Sequence, residues 1–342
     1  AQWRPDVDLK GKRVAVIGAG ASAFQLVPEL AKEVAELKVY QRSAPWMFEN
    51  PVYHDQVGEG TKWLLKHLPY YARWLRFLMF WPACDGAWPY VTVDPKWPHQ
   101  DRSINEVNEM IRETFTEYIR KQVGDDEQLL AKVIPDYAPM AKRTLQDNGS
   151  WLAALKRDNV ELIASPATAI TEHGVVSSEG EFEADVIIYA TGFKANKFLW
   201  PMEIVGRNGV VLSEQWGDEP EAYLGLTIPN FPNFFCMFGP ATNLAFGGSL
   251  ILNGECQMRY IMESIRMLLE QHVATMDCRQ QVHDEYNQRL RKTHAGMIWE
   301  HSSIKTSFYQ NSKGHATLLW PWKILDYWAW TKTPNPADYD LS

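Results

Sequence analysis

Residues 12–23 read KRVAVIGAGASA, and the fold follows from how this stretch is parsed. Lys12 to Ile17 is a short, β-branched-rich run that predicts a strand, and it ends directly in glycine. The segment from Ser22 to Val34, rich in Ala, Leu and Glu, predicts a helix, and Leu37 to Tyr40 a second strand. Together they form a βαβ unit of about 30 residues, the start of a doubly wound α/β sheet. Within Gly18-x-Gly20-x-x-Ala23 the first glycine permits a tight turn. The second lets bare backbone approach a pyrophosphate, and the small Ala23 allows close helix–strand packing. A helix start at this point offers unpaired N–H groups and the positive end of a dipole to phosphates. This strand–turn–helix context predicts dinucleotide binding.

The end of the second strand selects the dinucleotide. An NAD site has Asp or Glu there to accept from the ribose hydroxyls. This chain has Gln41-Arg42, 24 residues after Gly18. A guanidinium pairs with a 2′-phosphate, and no carboxylate stands there to repel it, which favours NADP over the alternative of a solvated surface arginine. Farther on, Lys142 and Arg143 lie in PDYAPMAKRTLQDN, a loop flanked by prolines. Adjacent cations are either solvated or anion-binding. Residues 185–193, DVIIYATGF, read as a buried strand ending in Thr191-Gly192, either a plain tight turn or a place where backbone approaches a ligand. Residues 235–249, FCMFGPATNLAFGGS, lead into a long helix and put Gly247 and Gly248 at its positive end, where they would face the anionic edge of a reduced flavin.

Working outward, the pattern changes between Pro45 and about Val133. Long helical stretches rich in Trp, Tyr and Leu interrupt the alternation, including Ile104 to Val123, and predict a helical insertion at about 45–133. The α/β pattern resumes with a helix from Trp151 to Arg157, a strand from Val160 to Ile163 and a β-meander through Thr168 to Phe182. Later come a strand from Phe234 to Met237 and helices from about Ser249 to Gln271 and Cys278 to Lys292. The resulting expectation is an NADP-binding domain over 1–190 and a second domain over 191–342. Fifteen tryptophans cluster in part between Trp63 and Trp97 and between Trp320 and Trp330. They are either packing residues or the wall of an apolar substrate pocket.

Composition excludes several classes. Net charge is −8 with no basic stripe, which argues against nucleic acid as the main partner. Cys84, Cys236, Cys256 and Cys278 form no C-x-x-C pair, so no metal site or redox dithiol is expected. They read as buried thiols of a cytoplasmic, reducing compartment. No apolar run reaches about 18 residues, so no membrane span is expected; Trp74 to Trp81 is apolar but short and contains Arg76. The opening AQWRPDVDLKGK is not a signal peptide, and the lack of an initiator Met suits a fragment.

Taken together, GKRVAVIGAGASA, VYQRSAPW, DPKWPHQDRSINEVN, AKRTLQDNG, EADVIIYATGF and NFFCMFGPATN resemble the flavin-containing monooxygenase superfamily in its Baeyer–Villiger branch. Within that branch the chain is most similar to the 4-hydroxyacetophenone monooxygenase type. The resemblance covers essentially all 342 residues. It implies a Rossmann-like NADP-binding domain followed by the C-terminal part of an FAD-binding domain, with the N-terminal FAD-binding half missing. Trp3 matches the last position of the branch fingerprint F-x-G-x-x-x-H-x-x-x-W. The implied cofactors are FAD and NADP, and the implied reaction inserts one oxygen atom from O2 into a ketone, of aryl type, to give an ester. Gly18, Gly20 and Ala23, with Ser22 nearby, would take the pyrophosphate; Arg42 and Lys142 the 2′-phosphate. Arg143 matches the active-site arginine, stabilising developing negative charge in a dry site. Thr191, Gly192, Gly239 and Pro240 would approach the flavin. A homodimer is an open expectation. So are two other readings: an N- or S-oxygenating flavin monooxygenase, and an NADP-binding module without chemistry of its own.

Overall fold

The computed structural model describes residues 3–53, 55–246, 248–304 and 306–342, with side chains for all of these except residues 80–83. In chain order the elements used below begin with β1 (Arg13–Ile17), α1 (Ala21–Leu30), β2 (Glu36–Tyr40), β3 (Met47–Glu49), α2 (Glu59–His67) and α3 (Tyr71–Cys84). Next come α4 (Glu106–Val123), α5 (Glu127–Val133), β4 (Leu145–Asp147), α6 (Ser150–Leu155), β5 (Val160–Ile163), β6 (Ala169–Ile170), β7 (Gly174–Ser177), β8 (Gly180–Glu183) and β9 (Val186–Tyr189). The chain continues with α7 (Leu212–Trp216), α8 (Leu250–Glu270), β10 (Met276–Cys278), α9 (Gln280–His294), α10 (Ile324–Trp330) and β11 (Tyr339–Leu341). The chain forms two compact units: Ala1–Val57, Asp101–Ser103 and Glu109–Phe193 in the first, Gly58–Gln100, Ile104–Asn108 and Lys194–Ser342 in the second.

The first unit is built on a parallel sheet of order β5-β2-β1-β9. Side chains alternate across it, as strand geometry requires. Ala15, Tyr40 and Ile163 face the antiparallel sheet β6-β7-β8 and pack on its Val175, with Ile17, Phe182 and Ile187 around them. The alternate set, Val14, Val16, Leu37, Val39 and Leu162, is buried on the other face. That face belongs to the crossover helix α1, where Phe24 stacks on the fully buried Trp151 of α6 at 5.0 Å. So the expected parallel α/β sheet is present, with helix on one side and the meander on the other. The strand read as buried, β9, is instead the edge of this sheet, and its last residue Tyr189 is 65% exposed. Val186, Ile187 and Ile188 are accordingly half-buried rather than buried.

Residues 58–100 do not stay with the parallel sheet. Long-range bonds tie them to the second unit. The Asp85 carboxylate accepts from the Ile324 N–H at 2.7 Å, capping α10, and the Trp88 indole donates to the Pro321 carbonyl at 2.9 Å. Arg76 makes a two-pronged pair with Glu255 of α8. The expected insertion at 45–133 is thereby divided, because only 45–57, 101–103 and 109–133 cluster with the parallel sheet. The second unit centres on Tyr260, Trp320, Tyr327 and Tyr339, with Cys84, Cys256 and Cys278 among them. All four cysteines are free and buried.

The aromatic clusters separate by environment. Trp320, Trp322 and Trp330 pack edge to face at 4.9–5.5 Å, a structural role. Trp63 and Trp74 are each 58% exposed, stacked on His67 and Phe77 along their own helices rather than packed in a core. No strand forms over 234–237. Left-handed Asn233 and Phe238 bracket that stretch, the Cys236 N–H goes to the Leu226 carbonyl, and the Phe238 N–H goes to the Gln257 side chain. The Phe234 and Cys236 N–H groups are thus paired without a ladder.

Candidate functional site

The first unit gathers its predicted residues at one edge, the carboxyl ends of the parallel strands. Strand pairing puts Ile17 level with both Tyr40 and Tyr189, so the turns after β1, β2 and β9 meet. The Gly18 N–H donates to the Tyr40 carbonyl and the Ala190 N–H to the Ile17 carbonyl, both at 2.9 Å. Strand order reverses here, β2 lying on one side of β1 and β9 on the other. Such a switch point is where open α/β sheets bind ligands.

Gly18 is fixed by geometry on two counts. Its φ is +114°, and a Cβ there would lie 2.5 Å from the Ala190 carbonyl oxygen. Gly20 differs. It has an ordinary φ of −79°, caps α1, and a Cβ on it would meet nothing within 4 Å. Packing therefore does not require glycine at 20, whereas an approaching ligand would. No side chain caps α1 and no acid stands in its first turn, so its positive end is not neutralised from within. Ser22 is exposed on that turn and Ala23 is fully buried beneath it.

The basic residues are assembled by a second device. The short strands β3 and β4 pair in parallel, Met47 with Leu145, and the Leu145 N–H donates to the Trp46 carbonyl at 2.9 Å. The loops entering these strands carry Arg42-Ser43 and Lys142-Arg143, which this pairing brings side by side. Lys142 Nζ lies 3.3 Å from Ser43 Oγ and 4.4 Å from the centre of the Tyr137 ring. Burial depresses the Lys142 pKa below the usual lysine range, and the positive Arg42 lowers it further, against a smaller opposing pull from Asp136. Burial and like charge are both unfavourable to the charged form, and a nearby anion would relieve them. Arg42 and Arg143 are exposed, and no salt bridge engages either guanidinium among the described residues. Ser43 and Tyr137 were not singled out from sequence; adjacency to Arg42 and an aromatic five residues before Lys142 were the available signals.

Thr191 and Gly192 follow β9 beside Gly18 and are exposed, with open space around Gly192 at φ +91°. Gly239 and Pro240 belong to the second unit and are buried. A Cβ on Gly239 would lie 2.4 Å from the Gly225 carbonyl oxygen, so packing explains that glycine. The expectation of bare backbone at the start of α8 needs correcting. Ser249 caps the helix, accepting from the N–H groups of Ile251 and Leu252 at 3.2 and 3.4 Å. Gly248 is small because Leu244 and Cys84 crowd it. Gly247 lies outside the described residues.

Among the described residues no cluster of His, Cys, Asp or Glu is arranged to hold a metal, and no helix is long and apolar enough to cross a membrane. The sequence matches no family model. It is 38% identical over 341 residues to an uncharacterised monooxygenase of Sinorhizobium fredii, covering 99% of this chain and 51% of that protein. It is 32% identical over 342 residues to a Baeyer–Villiger monooxygenase of Pseudomonas aeruginosa, covering 100% of this chain and 62% of that protein. The fold matches an oxidized steroid monooxygenase bound to NADP with a TM-score of 0.78 at 25% identity, over 100% of this chain and 69% of that one. This chain thus spans roughly half to two thirds of its relatives' length, and along its own whole length it is similar to monooxygenases that include the Baeyer–Villiger type.

Proposed function

We propose that this chain is the NADPH-binding and C-terminal portion of an FAD- and NADPH-dependent Baeyer–Villiger monooxygenase. One observation carries the reading: Lys142, half-buried beside Arg42 and Ser43, completes a cationic corner at the same sheet edge as the Gly18–Gly20 turn. That corner suits a 2′-phosphate. The residues fit NADP in a second respect, since the space over Gly20 and the uncapped start of α1 leave room and positive potential for a pyrophosphate.

Each side chain then has a task. The Gly20 backbone, Ser22 and the first turn of α1 hold the diphosphate, with Gly18 and Ala23 setting the approach of helix to strand. Arg42 and Lys142 clamp the 2′-phosphate and so exclude NAD, which offers them nothing to neutralise. Thr191 and Gly192 border the flavin; Gly239 and Pro240 carry the same assignment on the resemblance alone. FAD when bound supplies the O2-activating chemistry, fed by hydride from NADPH. Arg143, with its guanidinium in no salt bridge among the described residues, offers a planar five-donor fork to negative charge developing at a ketone substrate. We assign an aryl ketone on the resemblance to the 4-hydroxyacetophenone monooxygenase type. A homodimer and a cytoplasmic location belong to the same reading.

The test is a titration of the chain with NADP+ and NAD+, followed by Trp fluorescence. A preference for NADP+ supports the reading, and equal affinities refute it. Oxygenation by the full-length protein is then assayed with an aryl ketone and with an amine. Ester product from the ketone supports Baeyer–Villiger chemistry, and N-oxide alone replaces it with the N-oxygenating reading.

A further inference from the structure

We propose that Tyr137 is a positioning residue for 2′-phosphate recognition, its ring holding the Lys142 ammonium in place between the two basic loops. The inference rests on the NADP reading above and adds a residue that touches no ligand. Tyr137 sits in the loop that carries Lys142, yet it is bonded to the loop that carries Arg42 and Ser43. Its hydroxyl donates to the Ala44 carbonyl at 3.0 Å, and its own carbonyl accepts from the Trp46 indole at 2.8 Å. With only 6% of its surface exposed, Tyr137 is held through its ring hydroxyl and its backbone carbonyl. Lys142 Nζ stands 4.4 Å from the ring centre and 3.3 Å from Ser43 Oγ.

Two costs oppose keeping Lys142 where it is. A four-carbon stem must be ordered, and a charge must be held partly out of water next to Arg42. The negative face of an aromatic ring offsets the second cost, and its rigidity reduces the first before any ligand arrives. Two residues before Lys142 the loop backbone turns through left-handed Met140, at φ +69°. Tyr137 thus transmits position from one loop to the other, and the phosphate meets a preset cation pair.

The experiment measures Kd for NADP+ and for NAD+ in wild type, Tyr137→Phe, Tyr137→Leu and a protein carrying 3,4,5-trifluorophenylalanine at 137. The fluorinated ring keeps the shape of Phe while cancelling its negative face, so folding is matched to Tyr137→Phe even where Leu destabilises the loop. The expected result is about a two- to threefold loss of NADP+/NAD+ discrimination for Phe, which gives up the hydroxyl bond to Ala44, and a further three- to tenfold loss for the trifluoro ring and for Leu. Equal discrimination by the Phe and trifluoro proteins overturns the role of Tyr137. A wild type that does not discriminate at all overturns the NADP reading together with it.

Discussion

Replacing Gly18 and Gly20 one at a time by Ala separates what the turn needs for folding from what a ligand needs from it. At Gly18 the added Cβ would stand 2.5 Å from the Ala190 oxygen and 3.0 Å from its carbonyl carbon. Relief requires β1 and β9 to part where the Ala190 N–H meets the Ile17 carbonyl at 2.9 Å. Holding an L residue at φ +114° costs about 1–3 kcal/mol, and forcing the contact open about 1–3 more. A loss of roughly 2–6 kcal/mol is a large share of the 5–15 kcal/mol that typically holds a domain together. At Gly20 the φ of −79° suits Ala and nothing lies within 4 Å. Losing glycine at the helix cap costs under about 1 kcal/mol. The new methyl would nevertheless occupy the space assigned to the diphosphate. Guanidinium unfolding followed by Trp fluorescence, paired with NADP+ titration, reads both effects. The expected outcome is a clear fall in stability for Gly18→Ala, and near-normal stability with at least tenfold weaker NADP+ binding, about 1.4 kcal/mol, for Gly20→Ala. Unaltered binding in Gly20→Ala would refute the assignment of that space to a ligand.

Three further outcomes are expected. Arg42→Ala should weaken NADP+ by about 1–3 kcal/mol, the range for charge-assisted hydrogen bonds, and leave NAD+ unchanged; equal losses for both nucleotides would count against its role. In the full-length enzyme, Arg143→Ala should abolish ester formation while NADPH oxidation persists, measured by product chromatography beside absorbance at 340 nm; normal ester yield removes Arg143 from the mechanism. His294 is buried with its Nε2 on the Leu319 carbonyl and its Nδ1 unpartnered, and burial pushes its pKa down to about 4. The unfolded chain binds that proton near pH 6.5 and the folded chain does not, so stability is lost as pH falls from about 6.5 towards 4, by up to roughly 3 kcal/mol. His294→Gln should flatten this acid limb in urea melts at pH 7.5 and 5.

Local patterns were legible and long-range ones were not. The β1–turn–α1 unit could be read because β-branched residues, two glycines and an Ala-rich run lie within two dozen positions, each favouring the same local structure. The long helix α8 was equally plain, with its start at about Ser249, but the expectation of bare backbone there did not foresee that the Ser249 hydroxyl takes the first N–H groups. Phe234 to Met237 fits a strand by composition, but the left-handed Asn233 and Phe238 on either side depend on tertiary partners such as Gln257. The division of the 45–133 segment was hidden for the same reason. Arg76 finds Glu255 across 179 positions and Asp85 finds Ile324 across 239, and no periodicity announces such partners.

The cationic corner shows why single residues could be picked out while their arrangement could not. Arg42 is marked by its place at a strand end, a local fact. Lys142 is 99 positions from the Ser43 hydroxyl that it reaches, and nothing in its own loop points there. The two are joined by β3 and β4, each of three residues, too short to be read as strands against the helical stretches around them. Once paired in parallel, these strands fix both preceding loops at one end, and Tyr137 spans the loops through its hydroxyl, its carbonyl and its ring. A charge pair that repels itself is stable only where such bracing is stronger than the repulsion. On the proposed reading, bound phosphate would convert the remaining repulsion into affinity, and discrimination for NADP would be set as much by the uncharged brace as by the two cations it holds.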